Sequence, residues 1–195
     1  MNKSVRFITY YILLITCCFS SCRDDNFTPR PRGFYRISFP KKEYRTFDIA
    51  TCPFTFNYPA YAEVVPDTDR LAEPCWMNIE YPQFKGTLYL TYKSMHNDLD
   101  KFTEDFYTLA DKHIPKASGM RDIAINVPQH HVYGIFYEIK GPAASPTQFF
   151  VTDSVHHFVR CSLYFYAVPQ PDSIAPVLEF INKDVDEMIN SFRWK

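Results

Sequence analysis

The sequence predicts an α+β domain in which an antiparallel sheet is covered by two helices. Three observations lead there. Short segments rich in Phe, Tyr and Val alternate apolar with polar residues, which is the period of a half-buried strand. They follow one another at hairpin-like distances, which favours antiparallel pairing. Two longer segments carry apolar residues at helical spacing on one face only, and strands stand between them. No internal repeat and no second domain is visible.

Taken in order, Phe34–Phe39 and Phe54–Tyr58 read as short or edge strands, cut apart by Pro40, Pro53 and Pro59. Met77–Tyr81 and Thr87–Lys93 read as a hairpin joined through Pro82–Gly86. Asn97 or Asp98 then caps a helix whose apolar face is Leu99, Phe102, Phe106, Leu109 and Ile114, closed by Pro115. Ile123, Ile125 and Val127 alternate in the next strand. Val132–Lys140, Gln148–Thr152 and His156–Val168 follow as three more, with Gly141–Pro146 as a loop and Asp153-Ser154 as a tight turn. Asp172 or Ser173 caps a last helix, with Pro176 in its first turn and a stripe of Val177, Ile181, Val185, Met188 and Phe192. This order of elements resembles the α/β/α sandwich of the PsbP and Mog1 proteins.

The N-terminus supplies the sharpest motif. Lys3 and Arg6 precede an apolar run from Phe7 to Ile15, and the small residues Ser20 and Ser21 stand directly before Cys22. Charge, apolar stretch and small residues make a secretory signal peptide. A Cys at the cleavage point is the pattern of a lipoprotein, in which acyl chains such as palmitate on Cys22 hold the protein at a membrane. Residues 1–21 are then signal peptide, 22–33 a lipidated Cys with a flexible polar tether, and 34–195 one globular domain. An uncleaved anchor and a plain cleaved signal are the alternatives; the run is short for a span of about 20 apolar residues. Phe19 stands where such signals usually carry Leu, Val or Ala. Asp24 and Asp25, just after Cys22, read either as a surface-export signal or as part of a solvated tether.

Removing Lys3 and Arg6 from the formal net charge of −1 leaves the remainder at −3. A nucleic-acid binder would carry a basic footprint, and this chain has none. With 5 glycines and neither phosphate-cradling glycine motif, nucleotide chemistry is not expected. Beyond the signal and Cys22, three cysteines remain. Cys52 and Cys75 sit in proline-flanked stretches and are candidates for one disulfide, which would contribute about 3 kcal/mol; two free thiols are the alternative. Cys161, in an apolar strand-like run, reads as a small buried residue.

No catalytic, cofactor or metal site emerges. The pairs His130-His131 and His156-His157 lack partners at metal-ligand spacing, and neighbours on a strand face opposite ways. Asp153, Ser154 and His156 are contiguous on a turn, which does not suit a nucleophile relay. The acids Glu104, Asp105, Asp111, Asp184, Asp186 and Glu187 read as solvated helix faces. Tyr residues and Trp76 could form a sugar-binding platform, although core and strand preferences explain aromatic richness as well.

Several segments carry a wider resemblance. They are Cys52-Pro53-Phe54, Pro59-Ala60-Tyr61, Pro74-Cys75-Trp76-Met77-Asn78-Ile79 and Phe84-Lys85-Gly86-Thr87-Leu88-Tyr89-Leu90, then Leu99-Asp100-Lys101, Gln148-Phe149-Phe150-Val151-Thr152-Asp153-Ser154, His157-Phe158-Val159-Arg160 and the terminal Trp194-Lys195. In that order they resemble the gliding motility lipoprotein GldD family. Cys161 departs from the pattern, which has Gly after the Arg. The resemblance implies a non-enzymatic component of the bacterial cell envelope, lipid-anchored at the outer membrane on either side. It implies partnership with other gliding-motility lipoproteins and with the motor and type IX secretion components. The alternative is a lipoprotein that binds envelope or extracellular glycan.

Overall fold

The structure is a computed structural model and describes residues 36–166 and 171–195. The signal peptide, Cys22, the tether and the Asp24-Asp25 pair lie outside the described residues. Ile37–Lys195 forms one compact unit. Its seven-stranded antiparallel sheet has the order β3-β4-β5-β9-β8-β7-β6. The strands are β3 (Glu63–Pro66), β4 (Met77–Tyr81), β5 (Gly86–Ser94), β6 (Gly119–Val127), β7 (Val132–Lys140), β8 (Thr147–Thr152) and β9 (His157–Phe165). A small sheet of order β1-β2-β10 is built from β1 (Tyr44–Phe47), β2 (Phe54–Pro59) and β10 (Arg193–Trp194).

The expected hairpin pairs Met77 with Leu90 and Ile79 with Leu88, turned through a 3-10 turn at Pro82–Phe84. Helix α1 spans Leu99–Asp111 and α2 spans Pro171–Ser191. Each covers one face of the large sheet. On the α1 face, Phe106 packs on Phe150 at 4.9 Å and Phe102 on Phe158 at 5.5 Å. On the α2 face, Ile181, Val185 and Met188 join Leu88, Leu90, Val159 and Leu163 in the main core. The small sheet adds Phe54 and Phe56, which stack on Phe192 at 5.5 and 6.0 Å.

Five expectations need correction. Residues 36–39 of the Phe34–Phe39 segment are not a strand. Side chains hold them instead: Phe39 stacks on Phe180 at 4.5 Å, and Gln83 donates to the Ser38 carbonyl. Helix α1 stops at Asp111, before Ile114, which is half exposed. Pro115 has no N–H to give the Asp111 carbonyl and its ring would clash there, so the α-helix ends and the chain passes into a 3-10 turn at Ile114–Lys116. Helix α2 starts at Pro171, where the fixed φ suits a first turn, so Asp172 lies within it rather than capping it. Phe192 falls just past the helix end but is fully buried.

Asp184 is the fifth. Instead of lying on a solvated face, it is 1% exposed. It follows Ile181 by three residues and precedes Met188 by four, which places it on the apolar stripe. Its carboxylate accepts from Lys42 Nζ at 2.5 Å, from the Tyr44 hydroxyl at 3.0 Å and from the Tyr61 hydroxyl. Lys42 also donates to the Phe180 carbonyl at 2.9 Å and stands 3.9 Å from the Phe180 ring centre. The knot fastens the segment leading into β1, and the turn after β2, to the buried face of α2.

Candidate functional site

The two faces of the large sheet differ in chemistry. Strand alternation sends Val159, Cys161 and Leu163 of β9 into the core beneath α2. The intervening Phe158, Arg160, Ser162 and Tyr164 point to the α1 face. Helix α1 covers that face only over Phe158, Phe150, Ile135 and Tyr137. Beyond the helix the same face presents polar side chains. A cleft of about 190 Å³ is lined by Tyr89, Thr91, Arg160, Ser162 and Tyr164. A shallower shelf of about 420 Å³ continues from it over Tyr89, Tyr164, Phe165 and Tyr166.

Arg160 is the unusual member. Its side chain is partly buried on a central strand, and among the described residues its Nε has no hydrogen-bond partner. Among the described residues its one side-chain bond runs from Nη2 to Ser162 Oγ at 3.4 Å. Among the described residues no carboxylate forms an ion pair with it. Burial lowers its pKa, yet a guanidinium remains charged at any physiological pH. Next to it, Gln148 of β8 is fully buried, and neither of its amide atoms is bonded among the described residues. Gln148 stands directly opposite Ser162 in the ladder, so the two side chains share this face.

Aromatic rings form the rim. The Tyr89 and Tyr166 hydroxyls meet at 2.5 Å, and Tyr164 meets Tyr89 edge-on at 5.7 Å. The bond to Tyr166, with burial second, pushes the Tyr89 phenol up to about 12. His113, just past α1, stands 6.5 Å from Tyr164. Burial and then the Arg160 charge hold its imidazole below the ordinary value.

The residues singled out in the sequence lie elsewhere. The sulfurs of Cys52 and Cys75 are bonded, with Cα atoms 5.6 Å apart. Cys161 is fully buried, and burial pushes its thiol well above the ordinary range. The indole of Trp76 donates to the Tyr92 carbonyl at 2.8 Å, and Lys93 stands 5.0 Å over its ring, so it offers no open platform. Asp153 Oδ1 accepts from the backbone N–H groups of Val155, His156 and His157. Burial raises its pKa, but those three donors outweigh burial and hold the carboxyl below its usual value. It therefore serves the turn before β9. His157 bonds the Tyr92 hydroxyl at 2.9 Å and stacks on Trp194 at 5.1 Å. Among the described residues no group of three His, Cys, Asp or Glu side chains could hold a metal ion. Nor is any described helix long and apolar enough to cross a membrane.

Comparison with known proteins settles the family. The model of the gliding motility lipoprotein GldD family matches residues 24–194. The chain belongs to this family. The matched stretch includes the Cys52–Cys75 bridge, the Asp184 knot and the Arg160 cleft, and begins two residues after Cys22. No curated protein matches the chain. Among solved structures it is similar to the solution structure of cyanobacterial PsbP (CyanoP) from Synechocystis sp. PCC 6803. Identity is 12% and the TM-score 0.47, over 83% of this chain and 98% of that one.

A signal for Arg160 does exist in the sequence. Phe158, Arg160, Ser162 and Tyr164 alternate with Val159, Cys161 and Leu163, which separates a polar from an apolar face. Nothing in the sequence tells that α1 leaves that part of the face open.

Proposed function

We propose that this gliding-motility-family lipoprotein is held in the cell envelope by lipid on Cys22 and acts there by assembly rather than by chemistry. In this reading the anchor sits in the outer membrane. The folded domain works with other gliding-motility lipoproteins and with motor and type IX secretion components. The observation that carries the reading is the family match over residues 24–194. The motif before Cys22 supports the anchor. The chemistry of the described residues adds support, since the acid of the turn, the buried Cys161 thiol and the Asp184 carboxylate are all committed to structure.

Deleting the gene and measuring colony spreading and secretion of type IX cargo tests the role. Loss of either is expected, and normal values for both would refute it. Fractionation of a Cys22→Ala strain tests the anchor. The variant protein should leave the membrane fraction while keeping its fold, and full retention in membranes would overturn lipidation. Substituting Asp24 and Asp25 and probing intact cells with protease then tells surface from periplasmic exposure. A second reading, an envelope glycan binder, is favoured by the tyrosine-rimmed cleft.

A further inference from the structure

We propose that the Arg160 cleft binds an acidic sugar, with the sugar carboxylate on the guanidinium and the ring against the tyrosine rim. This goes beyond the assembly role and can be tested independently of it.

The argument begins with unspent hydrogen-bonding capacity. A guanidinium carries five N–H donors in a planar fork that matches a carboxylate. In Arg160 one donor makes a long bond to Ser162, and the buried Nε makes none. Buried polar groups are normally satisfied, so an orphaned charged donor beside an open cleft calls for an external acceptor. The cleft of about 190 Å³ opens onto the tyrosine shelf, so a ring seated there reaches Arg160 and the aromatic rim together.

The surroundings select the ligand class. The lining holds a single formal charge, which suits a monoanion. Thr91, Ser162, Tyr89 and Tyr164 add hydroxyls that both donate and accept. The shelf over Tyr89, Tyr164, Phe165 and Tyr166 offers apolar ring surface with polar tips, the complement of a sugar with C–H faces and a hydroxyl rim. The backbone argues against an extended peptide. Strands β5 and β9 each have neighbours on both sides, so no free strand edge is available for peptide pairing. Recognition must come from side chains alone.

The test uses the full-length chain in detergent micelles, titrated calorimetrically. The probes are a galacturonic acid trimer, the neutral galactose trimer, acetate, and a Glu-rich peptide of the same charge as the acidic trimer. The acidic trimer should bind saturably. The neutral trimer, which lacks the charge pair, and acetate and the peptide, which lack the sugar ring against the tyrosine rim, should each bind at least about tenfold more weakly. Arg160→Gln should weaken the acidic trimer by a similar factor. Arg160→Lys, which keeps charge but not the fork, should fall between. Should Arg160→Gln not fold, Thr91→Val at the rim gives the second reading, with at least about a threefold loss. Absence of saturation, equal affinity for the neutral trimer, or tighter binding of the peptide or acetate would overturn the proposal. So would unchanged affinity in the variants.

Discussion

Replacing Asp184 by Ala should destabilise the domain by about 5 kcal/mol. Breaking a buried ion pair by deleting one partner costs about 3–5 kcal/mol, because the other charge is left without its counter-ion. Asp184 is fully buried at its side chain, while Lys42 is 25% exposed. Lys42 keeps the Phe180 carbonyl and ring and can turn towards water, which favours the lower end of that range. The Tyr44 and Tyr61 hydroxyls lose their acceptor as well, at about 1 kcal/mol each. Replacing both ends by apolar residues, as in Lys42→Met with Asp184→Leu, should restore most of the loss, since a buried ion pair gains little over packed hydrocarbon. The assay is urea unfolding of the full-length chain at constant slope, read as shifts of the midpoint and closed as a double-mutant cycle. A loss below about 1 kcal/mol in Asp184→Ala would show that the knot is not a structural fastening.

Other outcomes are open to the same assay. Cys52→Ser should cost about 3 kcal/mol, the loop-closure entropy of a bridge across 23 residues, and reductant should give the same loss. Gly134→Ala should cost at least about 3 kcal/mol, because an added Cβ would lie 1.9 Å from the Phe150 carbonyl oxygen on the paired strand β8. A midpoint within experimental error of the parent would refute either. Burial first, then the Arg160 charge, lowers the pKa of His113; burial, partly opposed by Asp153, lowers that of His157. An imidazole kept neutral by folding contributes stability above its unfolded value near 6.5 and loses it as pH falls below, so stability should decline there. Tyr44, Tyr61 and Tyr81 are raised above 10.0, in each case mainly by burial. Their contribution is present below pH 10 and is lost above it, so alkaline titration should show late, cooperative phenol ionisation.

Where local chemistry decides, the sequence is readable. Met77–Tyr81 and Val132–Lys140 have the expected bounds because Pro82 ends one and Gly141 follows the other. Tyr44–Phe47 is not legible, since its Arg and Thr carry no apolar alternation. It becomes a strand by pairing with β2, a contact the local sequence does not announce. Glu63–Pro66 and Arg193–Trp194 are strands for the same reason. Asp184 escapes a sequence reading because an acid on a helix is usually solvated, and its partners Lys42 and Tyr61 lie more than a hundred residues away. Of the candidate site, the sequence shows the polar period through Arg160 but not the length of sheet that α1 leaves bare.

Cys161, the free cysteine among the described residues, bears on how the bridge is kept. In an unfolded chain Cys52, Cys75 and Cys161 can pair in three ways. Seating β9 between β5 and β8 turns the Cys161 sulfur into the dry interior, where ionisation to the attacking thiolate is suppressed. A chain that has spent Cys161 on a wrong bridge cannot seat that central strand, so its sheet stays open to reshuffling. Closing the sheet and keeping the correct bridge are therefore coupled, because the seated strand withdraws the Cys161 thiol from exchange.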